Sequence, residues 1–178
     1  MRIYPLSTLL LWMSAAAVAP ALGEQRCDTS RYPLSTPTER FTDNGDGTVT
    51  DKSSGLMWMR CALGQQWTGN SCAGEATLFA SPEAQAAADA VNRSGDQFFS
   101  DWRVPGLRDL ALIAERECEN PRINLAVFPN TAAAFFWTST ERQDDPEGRV
   151  YALSFGSEGV EAHARSLEHQ VRLVRSAQ

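Results

Sequence analysis

Three aspartates between residues 43 and 51 could hold a calcium ion. Asp43, Asp46 and Asp51, in the run DNGDGTVTD, supply the carboxylate oxygens that Ca²⁺ prefers. An EF-hand that begins at Asp43 would need an oxygen ligand at its third position, and that position is Gly45. The run Asn44-Gly45-Asp46-Gly47 is instead typical of a tight turn, because both glycines tolerate a positive φ. We therefore expect a hairpin turn, with the three aspartates as weak calcium candidates.

Four cysteines predict two disulfide bonds. Cys27, Cys61, Cys72 and Cys118 all follow an apolar N-terminal segment, and an even number of cysteines in an exported chain indicates disulfides. The sequence leaves three pairings open, and we favour Cys61 with Cys72, which closes a short loop, and Cys27 with Cys118. A zinc site is disfavoured because the chain has no CxxC motif and both histidines lie far along the chain from every cysteine.

Two loops carry residues that could bind a ligand without catalysis. The loop between the two middle cysteines contains a tryptophan, and an indole ring there could stack on a sugar. The acidic loop ERQDDPEG, residues 141–148, could contact a cationic partner, although a solvated connector is the simpler interpretation. The ligand-binding candidates are therefore Trp67, Gln65, Glu141, Asp144 and Asp145.

The sequence offers little for catalysis, so we expect a protein that is not an enzyme and needs no cofactor. Residues 156–159, GSEG, lack the residue that a G-x-S-x-G nucleophile elbow has between the first glycine and the serine, and they predict a hairpin turn. His163 and His169 are expected at strand edges or on the surface rather than as a catalytic pair.

The N-terminus and the charge indicate where the chain acts. Residues 1–23 predict a signal peptide, with cleavage after Gly23 or, second, after Ala21, and therefore a secreted, periplasmic or cell-surface protein without a membrane span after cleavage. The formal net charge is −6. An acidic chain without a basic run repels polyanions, so we expect no nucleic-acid partner.

The order of elements predicts an α+β fold with a mostly antiparallel sheet. Strands come first and last, and two helices lie between them. One helix is predicted from Ser81 to between Asn92 and Gly95, and a second from about Leu107 to Glu117. The strands are predicted within residues 41–50, 56–59 and 134–175, and three tryptophans in apolar segments are expected in the core: Trp58, Trp102 and Trp137.

Several of these segments together resemble one family, the C-terminal domain of the Lcl (collagen-like) adhesins. The resemblance spans residues 24–178 as one domain. Its motifs are FTDNGDGTVTDKSSGLMWMRC (41–61), DWRVPGLRDL (101–110), NPRINLAVFPNT (120–131), FFWTST (135–140) and VRLVR (171–175).

The resemblance implies a C-type-lectin-like fold, akin to that of the formylglycine-generating enzymes. Its best-known members lie on bacterial surfaces and bind sulfated glycans, usually as trimers, which makes a homo-oligomer an alternative state for this chain. The acidic composition does not suit a sulfated polymer, and the Glu-Pro-Asn and Trp-Asn-Asp motifs of calcium-dependent sugar binding do not occur.

The function predicted from the sequence is therefore non-catalytic recognition or adhesion. The domain would be a disulfide-stapled scaffold that binds a surface glycan or protein through its loops. The alternative function is that of a structural accessory subunit in a surface fibre or envelope complex.

Overall fold

The computed structural model describes residues 24–95 and 98–177 of the chain. The predicted signal peptide, residues 1–23, lies outside the described residues. Neither helix in the described part has the length and hydrophobicity to cross a bilayer. In chain order the elements are β1 (Arg26–Cys27), β2 (Phe41–Asp43), β3 (Thr48–Asp51), β4 (Leu56–Met59), β5 (Gln66–Trp67), β6 (Cys72–Ala73), α1 (Ser81–Ser94), α2 (Leu107–Ala111), β7 (Cys118–Glu119), β8 (Phe135–Glu141), β9 (Val150–Ser154), β10 (Val160–His163) and β11 (Val174–Ser176).

Two antiparallel sheets form the body of the fold. A four-stranded sheet has the order β11-β4-β3-β2, and a three-stranded sheet has the order β10-β9-β8. Two short ribbons, β1–β7 and β5–β6, are also antiparallel. The prediction of an α+β fold with mostly antiparallel strands and two helices is thus confirmed.

The polar run at residues 43–48 is a turn, as predicted. It joins β2 to β3, and both of its glycines have positive φ, 82° at Gly45 and 87° at Gly47. The neighbouring carboxylates support the turn, because Asp43 accepts a hydrogen bond from the Gly45 N–H (2.9 Å) and Asp46 accepts one from the Thr48 N–H (2.9 Å). Short polar side chains commonly stabilise turns in this way.

Strands β8 and β9 of the three-stranded sheet bury side chains on both faces, whereas the edge strand β10 is partly exposed. Phe136 on β8 lies opposite Leu153 on β9, and Trp137 lies opposite Ala152. Because successive side chains on a strand point to opposite faces, the first pair belongs to one half of the core and the second pair to the other half. The three tryptophans expected in the core are confirmed there: Trp58, Trp102 and Trp137 are 0%, 2% and 0% exposed.

Helix α1 begins at Ser81, as predicted, so Ser81 is its first helical residue and not its N-cap. Ala80 is the N-cap residue, and its N–H donates to the Glu83 carboxylate (3.1 Å). The helix ends at Ser94, where Gly95 takes a left-handed conformation with a φ of 72°. Its small-residue face, which includes Ala84 and Ala88, packs against the core.

The predicted length of the second helix is wrong. Helix α2 ends at Ala111 rather than near Glu117. The apolar spacing continues past that point, but tertiary contacts redirect the chain: Ala114 pairs with Ile123, and the Glu115 N–H donates to the Arg122 carbonyl (3.0 Å). These contacts replace the helical hydrogen bonds, which shows tertiary structure overriding local periodicity.

Both disulfides join the cysteines in the favoured pairing. Cys27 is bonded to Cys118 across 91 residues, and Cys61 to Cys72 across 11. In the chain-entropy model, loops of these sizes contribute roughly 4–5 and 3 kcal/mol to the free energy of unfolding. The longer bridge connects β1 with β7, and the shorter one closes the loop that carries Trp67.

Candidate functional site

The loop closed by Cys61 and Cys72, residues 61–72, is fixed on the fold by main-chain hydrogen bonds. Its two arms pair as β5 and β6, and its tip is closed by a bond from the Thr68 N–H to the Ser71 carbonyl (2.9 Å). Near its base, the Leu63 N–H donates to the Val171 carbonyl (2.9 Å). The loop is therefore an ordered platform on the surface.

Arg60, which directly precedes this loop in the sequence, is 8% exposed. Its guanidinium donates to the carbonyls of Val127 (2.9 Å) and Ala126 (3.0 Å) and to the Asp43 carboxylate (2.7 Å). The same group lies 4.2 Å from the centroid of the Trp67 ring, which is cation–π distance. Arg60 thus connects the hairpin turn, the loop before β8 and the disulfide loop.

Trp67 is half-buried beside the hairpin turn. A Cβ atom at Gly47 would lie 2.8 Å from the Trp67 Cγ atom, so the turn and the indole are in van der Waals contact. Because Arg60 also lies over the ring, part of the indole is engaged within the protein. Ligand contact by Trp67, which the sequence suggested, therefore stays a prediction for the remaining surface of the ring.

Two clefts flank the disulfide loop. The hairpin cleft, of about 180 Å³, lies between the loop and the β2–β3 turn, and its lining includes Asp46, Gly47, Met59, Leu63 and Trp67. The amide cleft, of about 290 Å³, lies on the other side, and its lining includes Gly74, Glu75, Leu78, Asn130 and Gln170. Gln65 lines both clefts.

Gln65 forms the wall between the clefts, and its amide is held in place. Its carbonyl accepts from the Ala62 N–H (3.1 Å), and its NH₂ donates to the Asn130 carbonyl (3.1 Å). The Asn130 amide in turn donates to the Cys72 carbonyl (2.9 Å). These hydrogen bonds hold the Gln65 side chain in one position before any ligand binds. Less side-chain entropy is therefore lost when a ligand binds.

The amide cleft combines apolar, amide and carboxylate groups. Leu78 is 51% exposed at its rim, and Glu75 and Gly74 are also exposed. An apolar surface beside hydrogen-bonding side chains is suited to a sugar ring or to a peptide side chain.

The acidic loop of residues 141–148 is largely neutralised by its own neighbours. The side chain of Asp145 is 1% exposed and accepts from Arg149 Nε (2.7 Å), which lowers the pKa of that carboxyl group. Glu141 pairs with Arg165 (2.6 Å). Of the three candidates in this loop, Asp144 is exposed without an ion pair among the described residues.

The two candidate loops do not form one site. Gln65 bonds to Asn130, which precedes β8, whereas Glu141 ends that strand. A seven-residue strand is about 20 Å long, so the disulfide loop and the acidic loop lie near opposite ends of β8. The clefts lined by Gln65 do not include any residue of the acidic loop.

The three calcium candidates have protein partners. Asp43 pairs with Arg60, and the Asp46 carboxylate accepts from the Thr48 hydroxyl (2.6 Å). Asp51 has a fully buried side chain; burial raises its pKa, but hydrogen bonds from Arg40 and Ser54 outweigh this and lower it. Within residues 24–95 and 98–177, no group of three or more His, Cys, Asp or Glu side chains is arranged to hold a metal ion.

The structure also brings the two histidines together, which the sequence analysis did not anticipate. His163 Nδ1 lies 2.6 Å from His169 Nε2, and His163 Nε2 lies 3.0 Å from the Glu161 carboxylate. Burial and the neighbouring His163 lower the pKa of His169 to about 4. His163 ends the edge strand β10, as expected. Its contact with His169 forms because the chain turns back after β10, and a spacing of six residues in the sequence does not predict such a turn.

A family model described as the Lcl C-terminal domain matches residues 47–175. The match includes the disulfide loop, the acidic loop and both histidines, whereas Cys27 and strand β2 precede it. No curated protein sequence matches the chain.

Proposed function

Because the chain belongs to the Lcl C-terminal domain family, we propose that it is a non-catalytic, extracytoplasmic recognition module that binds a glycan or a protein at the cell surface. We also infer a C-type-lectin-like architecture from the family resemblance. The antiparallel sheets, the two helices and the two disulfides support that architecture, and disulfides are typical of oxidising compartments.

The observation that carries the proposal is the pair of clefts beside the disulfide loop. Their shared wall is built from the Gln65 amide, which is held by hydrogen bonds to the Ala62 N–H and to the Asn130 carbonyl. Sites for drug-sized molecules and cofactors usually have volumes of roughly 300–1,000 Å³. Clefts of about 180 and 290 Å³ are suited to one sugar ring or one side chain each, along a longer ligand.

The charge of the chain favours a neutral or cationic ligand. The formal net charge is −6, and Glu75 is exposed at the rim of the amide cleft. A sulfated polymer would be repelled by this field, whereas hydroxyl groups and amines would find acceptors there. The ligand proposed here is therefore an uncharged or amine-bearing glycan, or a basic peptide segment.

The lining of the clefts supports recognition rather than catalysis. Catalytic sites bring titratable groups together within hydrogen-bonding reach of a substrate. The two acidic side chains of the clefts lie in different clefts, and the Asp46 carboxylate is already bonded to Thr48. The paired histidines do not line either cleft.

Glycan-array and peptide-array binding of the disulfide-bonded protein tests the proposal. Leu78→Ser should weaken binding at least tenfold, because it removes an exposed apolar contact from the amide cleft without disturbing the core. Leu112→Ser is the matched control, since Leu112 is similarly exposed (42%) but follows α2, outside both clefts. Binding should survive a chelator. Equal binding by both variants, or a stable homo-oligomer that binds neither array, would contradict the proposed function.

A further inference from the structure

The contact between the two histidines is unusually direct. His163 Nε2 lies 3.0 Å from the Glu161 carboxylate. With the ring proton on Nε2, the carboxylate accepts a hydrogen bond, and the neutral ring then has its lone pair on Nδ1. This lone pair points at His169 Nε2, 2.6 Å away. Two ring nitrogens at this distance must share either a proton or a positive ion.

A metal ion fits the pattern of partners around the pair. Histidines that bind metals commonly donate the second ring N–H to a carboxylate, which fixes the tautomer and raises the basicity of the ligand nitrogen. Glu161 occupies this position for His163. We propose that His163 Nδ1 and His169 Nε2 form a binding site for a divalent transition metal ion, Cu²⁺ before Zn²⁺, with Glu161 as the residue that orients His163.

The distance between the nitrogens favours copper. With metal–nitrogen bonds of about 2.0–2.1 Å, two adjacent ligands lie about 2.9 Å apart in a square-planar site and about 3.3 Å apart in a tetrahedral one. From 2.6 Å, the rings must separate by roughly 0.3 Å for the first geometry and roughly 0.7 Å for the second. Cu²⁺ adopts square-planar geometry and also binds nitrogen ligands more tightly than Zn²⁺.

The surroundings hold both rings while leaving the site accessible. The His163 ring lies 4.6 Å from the Phe135 ring, and the His169 ring lies 4.5 Å from the Trp137 ring. The main chain of His169 is fixed by two hydrogen bonds to Phe79, of 2.9 and 3.0 Å. The side chains of His163 and Glu161 are 15% and 51% exposed, so an ion can enter from solvent and keep open positions for water.

For both nitrogens to bind one ion, the ring proton of His169 must lie on Nδ1 rather than on Nε2. This is a change of tautomer of the neutral ring and releases no proton.

The test uses untagged, disulfide-bonded protein, because the chain contains only two histidines and both are in this site. Titration with Cu²⁺, followed by calorimetry and by fluorescence, should show one ion per chain and quenching of Trp137, whose ring touches His169. His163→Gln and His169→Gln should each abolish this binding. Glu161→Gln should weaken it about 10–100-fold, which is the usual effect of removing an orienting partner.

Glu168→Gln is the matched control for charge, because Glu168 is also exposed and adjoins His169 in the sequence. This variant should bind Cu²⁺ as the wild type does. The electron paramagnetic resonance spectrum of the wild-type complex should show two coordinated ring nitrogens, a readout that does not depend on any variant folding. Copper binding that persists in the double variant His163→Gln, His169→Gln, a nitrogen count other than two, or equal effects of Glu161→Gln and Glu168→Gln would overturn the proposal.

Discussion

Replacing Glu115 by glutamine should strongly destabilise the domain. Glu115 is 1% exposed, and its carboxylate accepts five hydrogen bonds. It forms no ion pair with any of the described residues. Four come from the N–H and hydroxyl groups of Ser35 and Thr36, at 2.7–2.9 Å, and one from the Glu117 N–H, at 3.1 Å. The carboxylate therefore attaches the N-terminal arm to the segment after α2. In Glu115→Gln, an NH₂ group would face donors.

The magnitude follows from the pKa of this carboxyl group. Burial raises the pKa, but hydrogen bonds from Glu117, Ser35 and Thr36 outweigh burial and lower it from 4.5 to about 2. Each pKa unit corresponds to about 1.4 kcal/mol, so the charged form contributes about 3 kcal/mol to the free energy of unfolding. Because the folded pKa is the lower one, this contribution is complete above pH 4.5 and disappears as the pH falls toward 2.

The assay is urea unfolding of wild type and Glu115→Gln between pH 7 and pH 2.5, with the disulfides intact. At pH 7 the variant should lose about 3 kcal/mol, equivalent to a decrease in Tm of roughly 6–12 °C. The difference should shrink toward zero in acid. Glu119→Gln is the control, since Glu119 is exposed and 3.6 Å from Arg122, and it should change little. A difference that is independent of pH, or smaller than about 1 kcal/mol at neutral pH, would refute the reasoning.

Three further outcomes are expected, each measured by the free energy of unfolding. Gly47→Ala should destabilise by about 1–3 kcal/mol more than Gly45→Ala, because both have positive φ but only Gly47 touches the Trp67 ring; equal effects would argue against that contact. Loss of the short bridge in the double variant Cys61→Ser, Cys72→Ser should cost about 3 kcal/mol, and a cost near zero would mean that the loop is ordered without it. Between pH 6.5 and pH 4 the free energy of unfolding of the wild type should fall by on the order of 1–2 kcal/mol more than that of His169→Gln, because in this range the unfolded chain protonates this histidine and the folded protein does not. Plots of unfolding free energy against pH that run parallel for the two proteins would contradict the lowered pKa.

Features that depend on local geometry were predicted well. The turn at residues 43–48 follows from glycines that accept a positive φ, and it is present. Helix α1 follows from its small-residue spacing and its proline and glutamate near the start. Of the three disulfide pairings that the sequence left open, the favoured one is present, and it was favoured because Cys61 and Cys72 close a short loop.

Features that depend on distant partners were missed or misjudged. The apolar spacing after Leu107 predicts a long helix, yet the chain leaves the helix at Ala111 to pair with Ile123. The sequence indicated that carboxylates of the acidic loop could contact a cationic partner, but it did not indicate that Arg149 and Arg165 pair with two of them. Whether a charged side chain is free is decided by which other segments the fold places beside it.

The sequence by itself was enough to predict the signal peptide, two disulfides, the hairpin turn and the α+β class. These predictions depend on composition or on residues that are close along the chain. Only the tertiary structure decided that Gln65 separates two clefts and that His163 meets His169. Those contacts depend on strand register and on which distant residues the fold brings together. Gln65, for example, donates to the carbonyl of Asn130, which lies 65 residues away in the sequence. Local patterns do not encode distances of that kind, since they depend on how the whole core packs.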